Sequence, residues 1–591
     1  MQIWGLLLTR LALVILAFNS RILSQYEFIE NFDPENSLPE SDLIIMSTAG
    51  SIYQKLTPES ALLLSQLSFL TNEENSILEQ IVLGNSIEIS SNTRLLNLTK
   101  TLWPRKTDLQ ISGTVFHRIN MGDDVQYKWS AEFNLNQFNL GLFGERDSYE
   151  SDILDYKSFF IRTNYKNFDY TIGSFQMLSG HGLVSWRSFP VKSDFGTTNS
   201  AFRQGRGIQP FRSGHESWAY KGFGWNQIFK NGHFSGGVSH RKIDGSILGN
   251  KINMSDLGIH VSETQIENHG NISETIGIGN WESDFKNGKM GLIIGGGAWQ
   301  DKKDKEFVNL VSSCYGSYTF TDLSIFSELA LTSQNKKAII SGAKLKKDSF
   351  QYGLVIRRID LDYFALRDNL FRNWNNTDQG EFSLFQELRS RLGPIFINVY
   401  SDIFQRLKGK KGEFVKTGNK SGLNMVFKPH NGLQIHTLIK YQNKSSEIYG
   451  FEYNQFMSDP VVTYKTTIKW AQTNHHDIQC QVLKKTLQNN SLSSWGLQLR
   501  NKYSLGTWSL KTFWMSSIIN NNEKLYYWDV TLPREMRTKV FSKTGHYIGA
   551  GIGYKPSSLS TINVRLSSSW NEWNFNIVPV VRAAMQVNLS I

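Results

Sequence analysis

The sequence predicts an all-β protein: a large antiparallel transmembrane β-barrel with a small N-terminal α-helical segment. Three observations carry this expectation. From residue 105 to residue 591, segment after segment alternates apolar and polar residues with a period of two. Tight turns of Asn-Gly type alternate along the chain with long polar connections, as they do when short turns close one end of a barrel and long loops the other. Beyond Ser24 no run reaches the roughly 18 apolar residues of a membrane helix, so a membrane-embedded chain must satisfy its backbone in a closed barrel.

Composition agrees. Of 591 residues, 40% are hydrophobic and 13% aromatic; the 12 prolines are few enough for uninterrupted ladders, and the 47 glycines suit turns and bends. The two cysteines, Cys314 and Cys480, lie far apart without metal-ligand spacing, so neither a disulfide framework nor a functional role is expected. The net charge of +11 fits a surface for nucleic acid, anionic lipid or an acidic solute, and equally fits charge spread over solvated loops and turns.

Residues 1–24 read as a secretory signal peptide. Arg10 precedes an apolar run from Leu11 to Phe18 that is too short to span a bilayer, and Ser20 and Ser24 offer small residues for cleavage. Export then leads to the outer membrane of a Gram-negative-type bacterium, with outer-membrane lipid and the barrel assembly machinery as partners. Residues 25–50 form an acidic, irregular lead-in carrying Glu27, Glu30, Asp33, Glu35, Glu40 and Asp42.

Residues 51–104 read as a small helical domain. Thr57-Pro58 places a capping residue before proline at the first helical position, and Leu62, Leu63, Leu64 and Leu67 follow. Thr71-Asn72-Glu73-Glu74 is a capping box, followed by Ile77, Leu78, Ile81 and Val82 on one helical face. A third stretch, Thr93 to Leu102, carries Leu95, Leu96, Leu98 and Leu102. Such helices can pack together or plug a barrel.

The barrel occupies 105–591. Val125, Tyr127, Trp129, Ala131, Phe133 and Leu135 alternate with polar residues, as a strand between lipid and a wet lumen should. The same pattern recurs at Leu109–Val115, Phe168–Ile172, Leu423–Phe427, Leu433–Ile439, Ile478–Val482 and Leu497–Arg500. Lys166-Asn167, Lys230-Asn231-Gly232, Lys286-Asn287-Gly288 and His430-Asn431-Gly432 read as hairpin turns. Residues 243–270, 301–307, 360–380, 406–420 and 517–540 read as long polar loops. Trp299, Tyr526, Tyr527, Trp528, Trp570 and Trp573 stand near segment ends, where interfacial girdles would use them. Met585, Val587, Leu589 and Ile591 point one way in a final strand of the kind that barrel assembly machinery reads. At roughly 20 residues per strand and connection, the length gives roughly 22–26 strands.

One segment departs from generic barrel sequence. It contains Gly180, Gly182, Leu183, Trp186 and Phe189, then Gly205, Gly207 and Pro210. This resembles the Bacteroidetes-type exported helix-hairpin-helix proteins with a C-terminal outer-membrane β-barrel, which carry G-Q-G-L-x-L-W-x-G-F followed by R-R-G-x-G-x-x-P-Y. His181 stands where that family usually has Gln. Ser68-Phe69-Leu70-Thr71 resembles the family's L-P-F-L-T motif in worn form. The resemblance implies an upstream helical region and, by the family's name, DNA contact. The residues argue against the latter: Ser68, Phe69 and Leu70 supply no glycine for phosphate approach, and residues 57–90 contain neither Lys nor Arg.

The candidate lumen or ligand loop comprises Gly180, His181, Gly182, Trp186, Arg187, Arg203, Gly205, Arg206, Gly207 and Arg212, with Lys192 adding charge. It either offers positive charge to an anionic solute from inside the lumen or pairs its arginines with lumen carboxylates. No catalytic, cofactor or metal motif is present, and His475-His476-Asp477 reads as a turn rather than a metal cluster. The function expected is a non-enzymatic, porin-like transport barrel that passes or binds a solute. A DNA-binding or DNA-uptake component, a barrel enzyme and a filled structural barrel are the alternatives.

Overall fold

The computed structural model describes residues 56–67, 70, 72–83 and 95, then 111–590 apart from 122–124, 136, 148–155, 187–192, 204, 214–217, 250, 255–261, 348, 369, 374–379, 409–416, 431, 451–452, 458–459, 474, 488–492, 521–523, 530–531, 534–537, 558 and 572–578. The expected signal peptide, the acidic lead-in and most of the third helical stretch lie outside these residues. Of that stretch Leu95 is described, helical and buried.

Twenty-four antiparallel strands form one closed barrel. Neighbours in sequence are neighbours in space, and the last strand, Val580–Ser590, pairs with the first, Ile111–Met121. That seam registers Leu589 with Val115 and Val587 with His117, so the C-terminal apolar alternation is what completes the circle. Closure leaves no edge to lipid, where an unpaired amide has no water to bind. The count falls within the 22–26 expected from length.

The two ends differ as the turn signals predict. Lys166-Asn167, Lys230-Asn231 and Lys286-Asn287 each join two strands at one end, where the chain also enters the barrel at Ile111. Lys166 adopts a left-handed φ of 54°, suited to a two-residue hairpin. The opposite end carries the long connections 179–219, 244–271, 360–380 and 519–544. Residues 301–307 are not a long loop: the chain turns between Asp301 and Glu306, and the Asp301 carboxylate accepts the N–H groups of Lys303 and Lys305, each at 2.9 Å.

Burial is inverted relative to a water-soluble protein. Glu274, Glu328, Asp402, Arg357 and Gln586 face inward and are buried, whereas Ile294, Leu310, Leu329, Leu388 and Ile403 face outward and are exposed. The outer wall is therefore the lipid-facing one. Both cysteines are free, with Cys314 exposed on that outer face. The aromatic girdle differs from the expected one. Phe138, Tyr165, Phe285, Phe350 and Trp508 form it beside the short turns, with Trp508 stacked on Tyr554 at 4.2 Å. Trp299 and Tyr527 belong inside: both are only 1% exposed, and Trp299 donates its indole N–H to buried Glu274 at 2.8 Å. Tyr526 is exposed in the long-loop hairpin, Trp528 and Trp570 are half-buried near that same end, and Trp573 lies outside the described residues.

Two short helices, α1 (Pro58–Leu64) and α2 (Asn72–Val82), precede the barrel. Thr57 caps α1 through a reciprocal exchange with Ser60: the Ser60 N–H donates to the Thr57 hydroxyl at 3.3 Å and the Thr57 N–H to the Ser60 hydroxyl at 2.7 Å. Ala61, Leu64, Leu67, Leu70 and Leu78 are buried. The connection between the helices lies against the short-turn mouth. Lys346 donates to the Ser65 hydroxyl at 3.3 Å, Lys344 to the Gln66 carbonyl oxygen at 3.4 Å, and Arg391 to the Leu70 carbonyl at 3.0 Å.

A charge placed on the outer wall tests this orientation. Ile294→Arg is expected to destabilise the barrel by about 2–4 kcal/mol, whereas Ile294→Leu stays within about 0.5 kcal/mol of the native protein. Equilibrium unfolding in lipid vesicles reads the difference; equal stabilities would place Ile294 away from lipid.

Candidate lumen site

The loop after the strand Phe168–Leu178 folds into the barrel. Phe175 and Met177 end that strand buried, and the chain then reverses through Gly180 (φ +61°) and Gly182 (φ +97°), conformations that favour glycine. A Cβ at Gly182 would run into the Arg203 guanidinium. The reversal aims backbone N–H groups at Glu328 on the strand Leu323–Thr332. His181 donates at 2.5 Å and Leu183 at 3.4 Å to one carboxylate oxygen, and the Ser313 hydroxyl donates to the other at 2.9 Å.

The His181 ring sits 4.5 Å from Phe326 and 6.1 Å from Tyr315, centroid to centroid. Burial, with smaller contributions from Lys289 and Arg203, pushes its pKa down to about 3. It is a neutral packing group at physiological pH.

Further along, the loop repeats the device. Gly196 and Thr198, at the start of the short helix Thr197–Ala201, donate their N–H groups to Glu387 at 2.5 and 3.1 Å. Ser193 donates its hydroxyl to Asp402. Gly207 (φ +62°) begins the short strand Gly207–Pro210, which lies along Phe168–Leu178; a Cβ there would strike Asn226 and Ser235. Gly205 lies just before it, where an added Cβ would come within 3.1 Å of the Leu178 carbonyl.

The basic residues of this loop serve its fold. Arg203 lies 4.9 Å from the Trp186 ring centre and donates to the Ser200 carbonyl at 3.2 Å. Arg206 is half-buried, and burial lowers its pKa to about 10. Arg212 grips Glu132 on the strand Val125–Leu135 with two hydrogen bonds of 3.0 and 2.8 Å. Arg187 and Lys192 lie outside the described residues. Of the two readings left open by the sequence, pairing with a lumen carboxylate describes Arg212.

Residues 360–380 were expected to form a polar loop; the described ones among 361–373 fold inward instead and lock onto the first loop. Tyr363 donates its hydroxyl to the Leu183 carbonyl at 2.9 Å, and Trp186 donates its N–H to the Arg367 carbonyl at 2.8 Å. Leu366, Leu370 and Phe371 are buried, and that density of apolar residues was the sequence signal that the segment does not lie in water. Arg367 and Arg241 share Glu274. Arg357 bridges Asp402 at 2.8 Å and Glu381 at 3.1 Å beneath the Phe371 ring. Sequence reasoning missed these wall residues because single acids in an inward register look like any luminal polar residue.

A third element, the hairpin of Leu525–Trp528 and Thr538–Phe541, which overlaps the expected loop 517–540, also packs inward. The Gln498 amide donates to the Trp528 carbonyl at 2.9 Å, Arg500 donates to the same carbonyl, and Tyr547 donates to Asp529 at 2.7 Å. His475 stands in a short turn and His476 lies 2.8 Å from Asn501. Among the described residues no three His, Cys, Asp or Glu side chains gather as metal ligands.

Two outcomes test the loop's attachment. Glu328→Ala leaves the buried N–H groups of His181 and Leu183 without their acceptor, a loss on the order of 1–3 kcal/mol. Hydrogen exchange of residues 180–186 should accelerate while the barrel strands stay protected; unchanged exchange would remove Glu328 as the clasp. His181 binds protons more weakly folded than unfolded, so its stabilising contribution is complete above about pH 6.5 and is lost as pH falls towards about 3. Loop exchange should quicken over that window, less so in His181→Phe.

No family model and no curated protein matches the chain. Solved structures similar to it include the siderophore receptor PirA from Pseudomonas aeruginosa, at 8% identity over 82% of this chain and 81% of that one, with a TM-score of 0.43. The copper transporter OprC is similar at 7% identity over 82% and 83% of the two chains, with a TM-score of 0.42. The translocation pore of the P pilus usher PapC is similar at 8% identity over 81% and 99%, with a TM-score of 0.35.

Proposed function

We propose that this chain is a non-enzymatic outer-membrane barrel of a Gram-negative-type bacterium that binds and passes a solute between its wall and a fixed set of inward-folded loops. One observation carries the reading: the lumen is filled more completely on one side than on the other. Inward residues facing the two interlocked loops, such as Glu328, Val355, Ser383 and Phe385, have no exposure at all. On the strands from Leu433–Gly450 to Trp508–Ile518, inward residues towards the strand ends, such as Gln434, Thr463, Lys469, Lys502 and Ser509, are half-buried, while Thr467, Gln479, Gln498 and Met515 between them are buried. Solvent therefore reaches the inside of the wall towards the ends of that arc.

The loops are suited to shape such a passage rather than to swing through it. They are held at Glu328, at Glu387 and Asp402 on two adjacent strands, and at Glu132 on the second strand of the barrel. Helices α1 and α2 stand at the short-turn mouth and restrict it from that side. The resemblance to exported helix-hairpin-helix barrel proteins enters this proposal through Gly180, Gly182, Trp186, Gly207 and Pro210, the residues with which the loop turns and lies along the wall.

Planar-bilayer recording tests the reading. The full-length protein should give discrete conductance steps, and a variant lacking residues 25–104 should give larger ones because the inner mouth is unobstructed. Silence from both, with heat-modifiable migration showing a folded barrel, would remove the passage and leave a filled scaffold.

A further inference from the structure

The open arc of the wall is basic. On the strands Leu433–Gly450, Val461–Thr473, His476–Leu487, Ser493–Leu505 and Trp508–Ile518, the inward register is fixed by buried His436, Thr467, Gln479, Gln498 and Met515. Lys440, Lys465, Lys469, Arg500, Lys502 and Lys511 share that register. Among the described residues of these strands, Asp477 is the carboxylate on the same face. Lys465 has Lys440 and Arg500 as charged neighbours, and Lys502 stands opposite Lys511 on one neighbouring strand and Asp477 on the other.

Like charges directly opposite each other on adjacent strands are destabilising. In the closed part of the lumen several arginines are matched by wall carboxylates: Arg357 by Asp402 and Glu381, Arg241 and Arg367 by Glu274. Along the open arc Lys440 pairs with Asp194 of the first loop and Arg500 donates to the Trp528 carbonyl, while Lys465, Lys469 and Lys511 add positive charge to a register whose own strands supply one carboxylate among the described residues, Asp477. Gln434, Gln442, Thr463 and Ser509 lie in the same register and add neutral donors and acceptors. Lysine ammonium groups on flexible stems suit hydrated anions of varied shape better than one fixed planar partner.

We infer that this lysine-rich arc is a binding path for small organic polyanions, compounds bearing several carboxylate or phosphate groups. The site rests on the proposed passage and meets the 177–212 loop at Lys440, which pairs with Asp194; Arg212 of that loop is engaged with Glu132. The excess positive potential concentrates such anions at the wall, and repeated cations let them move from one to the next.

The test uses the full-length protein in detergent with citrate as probe, read by titration calorimetry, and the same protein in planar bilayers under a KCl gradient. Citrate should bind with an affinity that falls with added salt, and Lys465→Glu/Lys469→Glu/Lys511→Glu should weaken it by about tenfold or more. The bilayer reversal potential should show chloride preferred over potassium, with the triple variant reversing that preference. Lys484→Glu, on the outward register of the same sheet, should alter neither reading. Absence of citrate binding by the native protein, or equal binding by a triple variant that migrates as a folded barrel, would overturn the inference. Citrate binding without conductance would remove the passage while leaving the anion site in place.

Discussion

A backbone N–H or C=O in hydrocarbon has no water to turn to, and every other feature of this molecule follows from meeting that demand with strands. Once strands are used, the sheet must close. Once it closes, each strand has one face in lipid and one in the lumen. The alternation of apolar and polar residues is the consequence, and the pairing of Leu589 with Val115 is where the circle is completed. A slip of one residue at that seam would turn the apolar face of the last strand into the lumen, so the register is strongly specified by the same constraint.

Closing 24 strands creates an interior too wide for wall side chains alone to fill. The chain supplies the remainder from its own long connections and solves a second backbone problem in doing so. A loop inside a barrel carries N–H groups that no ladder satisfies. Here wall carboxylates accept several of them: Glu328 from His181 and Leu183, Glu387 from Gly196 and Thr198, and Glu381 from the Asn373 N–H at 2.9 Å. Each such contact also answers the cost of burying a carboxylate, because a charge-assisted hydrogen bond replaces part of its hydration. Loop and wall therefore stabilise each other, and neither set of polar groups is well placed without the other.

This division explains what was legible in the sequence. Strand alternation, Asn-Gly turns, caps and the final apolar strand are local patterns, and the barrel, its strand number and its two unlike ends follow from them. The lumen contacts are not local. His181 and Glu328 are 147 residues apart, Gly196 and Glu387 are 191 apart, and Arg118 reaches Gln586 across 468 residues of chain at the seam. No spacing along the sequence announces such pairs; they exist because closure brings distant strands around a common interior. The misplaced girdle has a related cause. The strand Gly288–Asp301 is packed on its inner face by loop residues and on its outer face by lipid, so both registers are apolar and Trp299 looks like a surface aromatic. Its companions Gly295 and Gly297 hold the clue: a Cβ at Gly297 would enter the Trp299 ring, so the indole lies flat over its own inner wall.

The same logic separates the two kinds of positive charge in the lumen. Arginine dominates where the interior is closed. Arg357 spans two carboxylates beneath a phenyl ring, and Arg367 shares a fully buried glutamate, tasks for a planar group that stays charged and donates in several directions. Lysine dominates on the strands from Leu433–Gly450 to Trp508–Ile518, at Lys465, Lys469 and Lys511, beside Lys440, which pairs with Asp194 of the first loop. A buried ion pair is held by geometry, and changing its partner would cost more than a passing solute could return. A hydrated ammonium facing water has no such commitment, and an anion can approach and leave it at modest cost. The closed part of the lumen thus keeps its shape through arginine and carboxylate, and the lysine-bearing strands keep Lys469 and Lys511 where their inward register is half-buried.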